Sequence, residues 1–211
     1  LGTLLSILFF WKNFIGEKIQ ETFKGNFNYL SIIVVGSIPA SIVGLLFEDQ
    51  IKEYLFDISS MNYLIICYIA LTIIIFSTKY FIDNKNSKIT YGYAFLIGMA
   101  QAMAIIPGLS RSGLTIFMAL LLGLSFKKSM QFSFMLAIPI LIFSSIYLIF
   151  NNMDLLLLDI NFLIELLVGI LSSFLIGYGI LFMLEKIIDK GKFWYFSFYC
   201  LFISLVLFYA S

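Results

Sequence analysis

Histidine is absent from this chain. That removes the side chain most often used as a general base and as a metal ligand near neutral pH. Charge is scarce too: Asp, Glu, Lys and Arg make up 12% of the 211 residues, against about a quarter in soluble domains. With a net charge of only +1, there is no basic excess to attract a nucleic acid. Two cysteines occur, Cys67 and Cys200, each inside an apolar run. Lone thiols in such runs are packing groups rather than a disulfide or a metal site. Proline occurs three times, at Pro39, Pro107 and Pro139; the first and last are expected to kink their helices and widen a cavity.

What fills the chain is apolar: 62% of residues, with a mean hydropathy of +1.04. The expected class is an all-α polytopic membrane protein. Uncharged runs cover Tyr29–Phe47, Met61–Thr78, Ser129–Phe150, Leu166–Leu184 and Phe193–Ser211, each 18 to 22 residues long, against about 20 needed to span a bilayer. The opening LGTLLSILFFW holds 11 residues before Lys12, about half a span. It reads either as a short interfacial helix or, preferably, as the second half of a transmembrane helix.

The segment Ile89–Phe126 differs from the other runs. Its 38 residues carry a single charge, Arg111, just after Pro107-Gly108. Proline should break any helix there, leaving legs Tyr91–Ile106 and Ser112–Phe126 of 16 and 15 residues. At about 1.5 Å per residue, each falls short of a core about 30 Å thick. Two short legs around a breaker predict a re-entrant helical hairpin with its tip inside the membrane. The competing reading is two ordinary short spans with an external turn.

Charge distribution fixes the expected orientation. If the hairpin returns to the side it entered, Lys12, Lys18, Lys24, Lys79, Lys85, Lys88, Lys127, Lys128, Lys186, Lys190 and Lys192 share one face. The other face carries Lys52 against Glu48, Asp49, Glu53, Asp57, Asp154 and Asp159. The positive-inside rule makes the lysine-rich face cytoplasmic. One membrane domain is expected, in three parts: 1–88, 89–126 and 127–211. Three spans follow the hairpin and three precede it, the first of them partial. That count suggests an inverted repeat whose first hairpin would precede Leu1, with the site where the two hairpins meet.

A charge at bilayer depth costs at least about 2.5–3.5 kcal/mol, and irregular backbone survives there only in protein or against a wet cavity. An arginine in such a pocket suits an anion, because its planar fork meets two phosphate oxygens together. Ser110 and Ser112 add hydroxyl donors. Gly108 and Gly113 allow close backbone approach, and the start of the second leg aims N–H groups and a positive dipole end at the ligand. Thr115, four residues after Arg111, shares its helical face. Gln101, in the first leg, fits either a phosphate contact or an interhelical hydrogen bond. A plain turn with Arg111 as an interfacial anchor is the blander alternative. Glu165 reads as interfacial and Lys127-Lys128 as an anchor.

The stretch GMAQAMAIIPGLSRSGLTI (Gly98–Ile116) resembles the second signature of the undecaprenyl-pyrophosphate phosphatase family, the bacterial bacitracin-resistance membrane proteins. GSIPASIVGLLFED (Gly36–Asp49) and QFSFMLAIPIL (Gln131–Leu141) resemble other stretches of that family, in the same order. The resemblance implies hydrolysis of a C55 isoprenyl diphosphate lipid to the monophosphate, recycling carrier lipid for peptidoglycan synthesis. It places the protein in the bacterial cytoplasmic membrane with its pocket open to the outer face, and allows a homodimer. It makes Arg111 the catalytic phosphate clamp and Ser110, Ser112 and Thr115 its supports. It also implies a divalent cation, Mg or Ca, held by glutamates of a first signature that ends in Ser-Ser-Thr-Gly-His. That signature is absent from these 211 residues, so the chain alone is expected to be inactive and to contain no metal ligand. A flippase or transporter of phosphorylated lipids is the alternative from another class, and an inert membrane fragment is the third.

Overall fold

The computed structural model describes residues 1–46, 61–81, 83, 88–151 and 160–210. The acidic residues expected on the outer face, Glu48, Asp49, Glu53, Asp57, Asp154 and Asp159, lie outside that set, as do Lys52 and Lys85. The described residues form helices and turns only. In order these are α1 (Gly2–Phe10), α2 (Lys12–Phe23), α3 (Asn28–Leu46), α4 (Met61–Ser77), α5 (Tyr91–Met103), α6 (Arg111–Leu121), α7 (Phe126–Asn151), α8 (Ile160–Asp189) and α9 (Phe196–Ala210).

Large apolar side chains line the outside of these helices, among them Phe143, Leu175, Phe202 and Phe208, each more than 60% exposed. Water would penalise that surface; hydrocarbon does not. Among the described residues, three helical stretches can cross a bilayer by length and composition, Asn62–Tyr80, Phe126–Phe150 and Phe162–Asp189. There are four if α2 and α3 form one broken span. This is a multi-pass membrane protein.

Two expected spans change length. The run Leu166–Leu184 lies within the 30-residue α8, because Glu165, Glu185 and Lys186 interrupt an apolar run without interrupting a helix; Glu, Lys and Leu are good helix formers. The run Phe193–Ser211 gives only the 15 residues of α9, preceded by a 3₁₀ turn at Phe193–Tyr195. Helix α2 was not expected at all. It occupies a polar stretch and is steadied by the Lys18–Glu21 ion pair at 2.7 Å. Pro39 and Pro139 lie inside α3 and α7, which continue through them.

The described residues fall into two compact units. One comprises Leu1–Leu30 with Phe134–Lys186. Here α1 lies so close to α8 that a side chain at Gly2 would run into Ser173 and the Ile170 carbonyl. The other comprises Ser31–Ser133 with Ile187–Ser211 and contains the expected site. Its α9 packs along α4. Cys67, Leu71 and Ile75 form the buried stripe of α4, and Ser197, Cys200 and Ser204 that of α9. Small residues on one side let the two backbones approach. Both cysteines are free thiols.

Helices α5 and α6 pack against each other. The buried face of α5 carries Ala94, Ile97 and Gln101, with Gly98 set against the carbonyl of Gly36 on α3. No side chain fits between those two backbones. Helix α6 ends early, at Leu121, where Gly123 turns to φ +81° and the Leu124 N–H reaches back to the Ala119 carbonyl. The legs are therefore 13 and 11 residues, shorter than the 16 and 15 expected. Ser125 then caps α7, and Asp83 Oδ1 accepts the N–H of Phe126 at 3.0 Å.

Candidate functional site

The α5–α6 connection exists because Pro107 forbids helix through it. The residue before a proline is pushed out of helical geometry, so α5 stops at Met103 and the chain continues in tight turns. Ile105 N–H donates to the Ala102 carbonyl, Ile106 N–H to Met103 and Leu109 N–H to Ile106, each at 3.2 Å. Gly108 takes φ +89°, a region closed to most side chains. A Cβ there would also lie 2.9 Å from Cys67 Cβ and 3.3 Å from Leu64 Cδ2. The loop thus rests on α4 at Cys67, well inside that helix.

Ser110 begins α6 as its N-cap, its Oγ accepting the Gly113 N–H at 3.1 Å. Serine serves here because its short side chain reaches an amide that has no carbonyl in the turn before it. Ser112 Oγ lies 3.4 Å from Ser110 Oγ. Gly113 is buried, and a Cβ on it would meet Ser110 Cβ at 3.1 Å. Four of the expected residues, Gly108, Ser110, Arg111 and Ser112, therefore share one half-buried loop and helix start.

Arg111 is held from the neighbouring leg. Its Nε donates to Gln101 Oε1 at 3.1 Å, and its Nη2 donates to the same oxygen. A guanidinium only donates, so the amide oxygen must face it. Gln101 is 3% exposed, and its Nε2 is buried with no hydrogen-bond partner among the described residues. A buried donor left in that state costs about 1–3 kcal/mol. Among the described residues Arg111 has no carboxylate within ion-pair distance.

Thr115 sits elsewhere than the sequence suggested. It is fully buried, donates to the Arg111 carbonyl at 2.8 Å, and meets Ser133 Oγ on α7 at 2.6 Å. Its hydroxyl ties α6 to α7 rather than lying at the loop surface. Ser133 was missed from sequence. The signal was the spacing Ser125, Ser129, Ser133, a polar stripe at helical period along an apolar helix, all three buried. Glu165 lines a separate cavity of about 480 Å³ in the other unit, with Leu148, Ile149, Leu166 and Ser173, and none of the expected site residues line it.

The chemistry of the loop is uniform. Arg111, the serine hydroxyls and the first amides of α6 all donate, and none is an anionic oxygen. A divalent cation takes carboxylate and carbonyl oxygens, so this set does not fit the metal that the resemblance implies. Among the described residues no three His, Cys, Asp or Glu side chains form a cluster that could hold one.

Comparison with known proteins agrees over nearly the whole length. The family model described as bacitracin resistance protein BacA matches residues 1–206. An undecaprenyl-diphosphatase of Methanococcus vannielii is 36% identical over 216 residues, covering 99% of this chain and 82% of the relative. Undecaprenyl-diphosphatase 1 of Bacillus cereus ATCC 14579 is 34% identical, covering 97% of this chain and 78% of the relative. An undecaprenyl-diphosphatase of Thermosipho melanesiensis is 33% identical, covering 97% and 79%. The chain belongs to the BacA bacitracin resistance protein family.

Proposed function

We propose that the chain serves a membrane-bound undecaprenyl-diphosphatase, which hydrolyses undecaprenyl diphosphate to the monophosphate and inorganic phosphate. The product lipid then re-enters peptidoglycan synthesis, and bacitracin resistance follows from its removal as a diphosphate. One observation carries the reading: Arg111 begins α6 beside two serines, oriented by a buried amide and with no carboxylate partner among the described residues. An arginine arranged in that way is ready for phosphate.

Each group has a task in this reading. The Nη1–Nη2 end of Arg111, left open because Gln101 occupies the Nε side, meets two oxygens of the terminal phosphate. The amides of Arg111 and Ser112 and the Ser112 hydroxyl take further oxygens, while Ser110 keeps the turn rigid. Gly108 lets the backbone pass close to α4. Phosphoryl transfer depends chiefly on positioning and on stabilising charge at the transferred oxygens, which is what these donors supply. The group that activates water, and the carboxylates for a divalent cation, are not among these residues. The 211 residues alone are accordingly expected to bind the diphosphate without cleaving it.

The hairpin is proposed to be re-entrant from the cytoplasmic face. Its legs measure about 20 Å and 17 Å at 1.5 Å per residue, too short to cross. Tyr91 Oη, at the start of α5, lies 2.9 Å from Ser31 Oγ near the start of α3. The tip touches α4 at Cys67, and Gly113 lies near Ile75 further along the same helix. The second leg thus heads back toward Thr78 and Asp83, on the side where the chain came in. Lys79 stacks over Phe76 and Trp194 on that side, as a cation anchored at an interface does. The lysine-rich face is then cytoplasmic in a bacterial inner membrane, and the pocket opens outward. An inverted repeat, with this hairpin as its second, fits the same layout.

A loop made only of donors also suits a carrier of phosphorylated lipids, and one assay separates the two. The full-length protein that carries this chain is purified and given undecaprenyl diphosphate labelled in its terminal phosphate. Release of labelled phosphate supports the hydrolase. Movement of intact lipid across vesicles without release favours the carrier.

A further inference from the structure

We infer that Gln101 is both the positioning residue for Arg111 and a direct donor to the bound phosphate. The inference rests on the diphosphatase reading of the same loop. Two facts lead to it: Gln101 Oε1 receives both Nε and Nη2 of Arg111, and Gln101 Nε2 is buried without a hydrogen-bond partner among the described residues.

An ordinary packing role would leave a different pattern. A glutamine serving only to join two helices finds partners for both ends of its amide, since a buried donor without one is costly. Here one end is committed twice and the other not at all. The committed end uses up the Nε–Nη2 edge of the guanidinium, so the Nη1–Nη2 end is the two-nitrogen fork left for a ligand. The uncommitted end sits on the same amide, a few bonds from that cation, beside a loop that carries the Arg111 guanidinium and the Ser110 and Ser112 hydroxyls. A phosphate oxygen resting against the open end of Arg111 is an acceptor that Nε2 lacks. Binding of the anion then completes the hydrogen bonding of Gln101, and Gln101 holds the arginine ready before the anion arrives. A neutral amide suits the task, because glutamate at 101 would neutralise Arg111 and repel the ligand.

The experiment observes the amide directly. The full chain, in detergent micelles, is labelled with ¹⁵N on the side-chain amides of its four glutamines; the pair of resonances lost in Gln101→Met identifies Nε2 of Gln101. Undecaprenyl diphosphate is titrated in, with backbone amides of Ser112 and Gly113 followed in the same samples. The inference predicts a saturable downfield shift of one Gln101 amide proton with the same midpoint as the Ser112 and Gly113 shifts. It also predicts that Gln101→Met weakens binding at least tenfold although the Arg111 side chain itself is retained. If Ser112 and Gly113 move while the Gln101 amide stays still, the donor role is wrong and the phosphate site stands. Unaltered affinity in Gln101→Met would overturn the positioning role as well. If no resonance moves, the phosphate site itself is wrong, and the inference falls with it.

Discussion

Replacing Gly108 with alanine tests how the loop is seated, and the structure allows its cost to be worked out in two parts. The backbone at Gly108 has φ +89°, and placing an L side chain in the left-handed region costs about 1–2 kcal/mol. The new methyl would also lie 2.9 Å from Cys67 Cβ, and overfilling a packed site costs about 1–3 kcal/mol. Together these give about 2–5 kcal/mol. The parts can be separated, because only the second depends on Cys67. Cys67→Gly removes the clashing carbon and itself costs about 1 kcal/mol as a helix glycine. In that background Gly108→Ala should cost only the strain, so the pair should be coupled by about 1–3 kcal/mol in a double-mutant cycle. Reversible unfolding in mixed micelles measures all four proteins. In the full-length protein that carries this chain, hydrolysis should fall about 100-fold in the single variant, since a displacement near 1 Å in a positioning group is enough for that. A cost below about 1 kcal/mol, or one unchanged by Cys67→Gly, would show that the tip does not rest on α4 at this point.

Thr115→Val removes a fully buried hydroxyl and leaves Ser133 without its 2.6 Å partner; the expected loss is about 1–3 kcal/mol of stability. Affinity for the diphosphate should change little, as a binding titration beside the unfolding curve would check. Asp83→Ala takes away the acceptor for the first amide of α7 and should cost about 0.5–2 kcal/mol. The assay is the thermal midpoint, with turnover unchanged at temperatures where the variant is folded.

Much of this arrangement can be read from the sequence, because each legible feature rests on a local rule. Pro107 with Gly108 announces a break in any helix, and the break is there. The second leg was expected to start at Ser112, and the structure starts it one residue earlier with Ser110 as its cap. What could not be read depends on neighbours distant in sequence. The link from Arg111 to Gln101 joins residues ten positions apart across a turn whose course is set by Gly108 against α4. Thr115 shares a helical face with Arg111, yet its hydroxyl is claimed by Ser133, eighteen residues later. Helix ends were misjudged for a simpler reason. Charge counts locate the apolar stretch of α8, while helix formation continues through Glu165 and Glu185 to Asp189. The reverse happened at α9, where a 3₁₀ turn takes the first residues of the run.

The central claim is that Arg111 clamps phosphate as a planar fork rather than as a nearby positive charge. The decisive measurement compares Arg111→Lys with Arg111→Ala and Ser112→Ala in the full-length protein that carries this chain. Phosphate release from undecaprenyl diphosphate is followed in purified, folded samples. Lysine cannot bridge two oxygens, and it also releases the Gln101 amide that Arg111 engages twice. Losing one donor at a developing charge costs about 10²–10³ in rate, so the lysine variant should be nearly as impaired as the alanine one. Ser112→Ala should lose less, because water can take the place of a hydroxyl at the rim. Near-native turnover in Arg111→Lys would contradict the account.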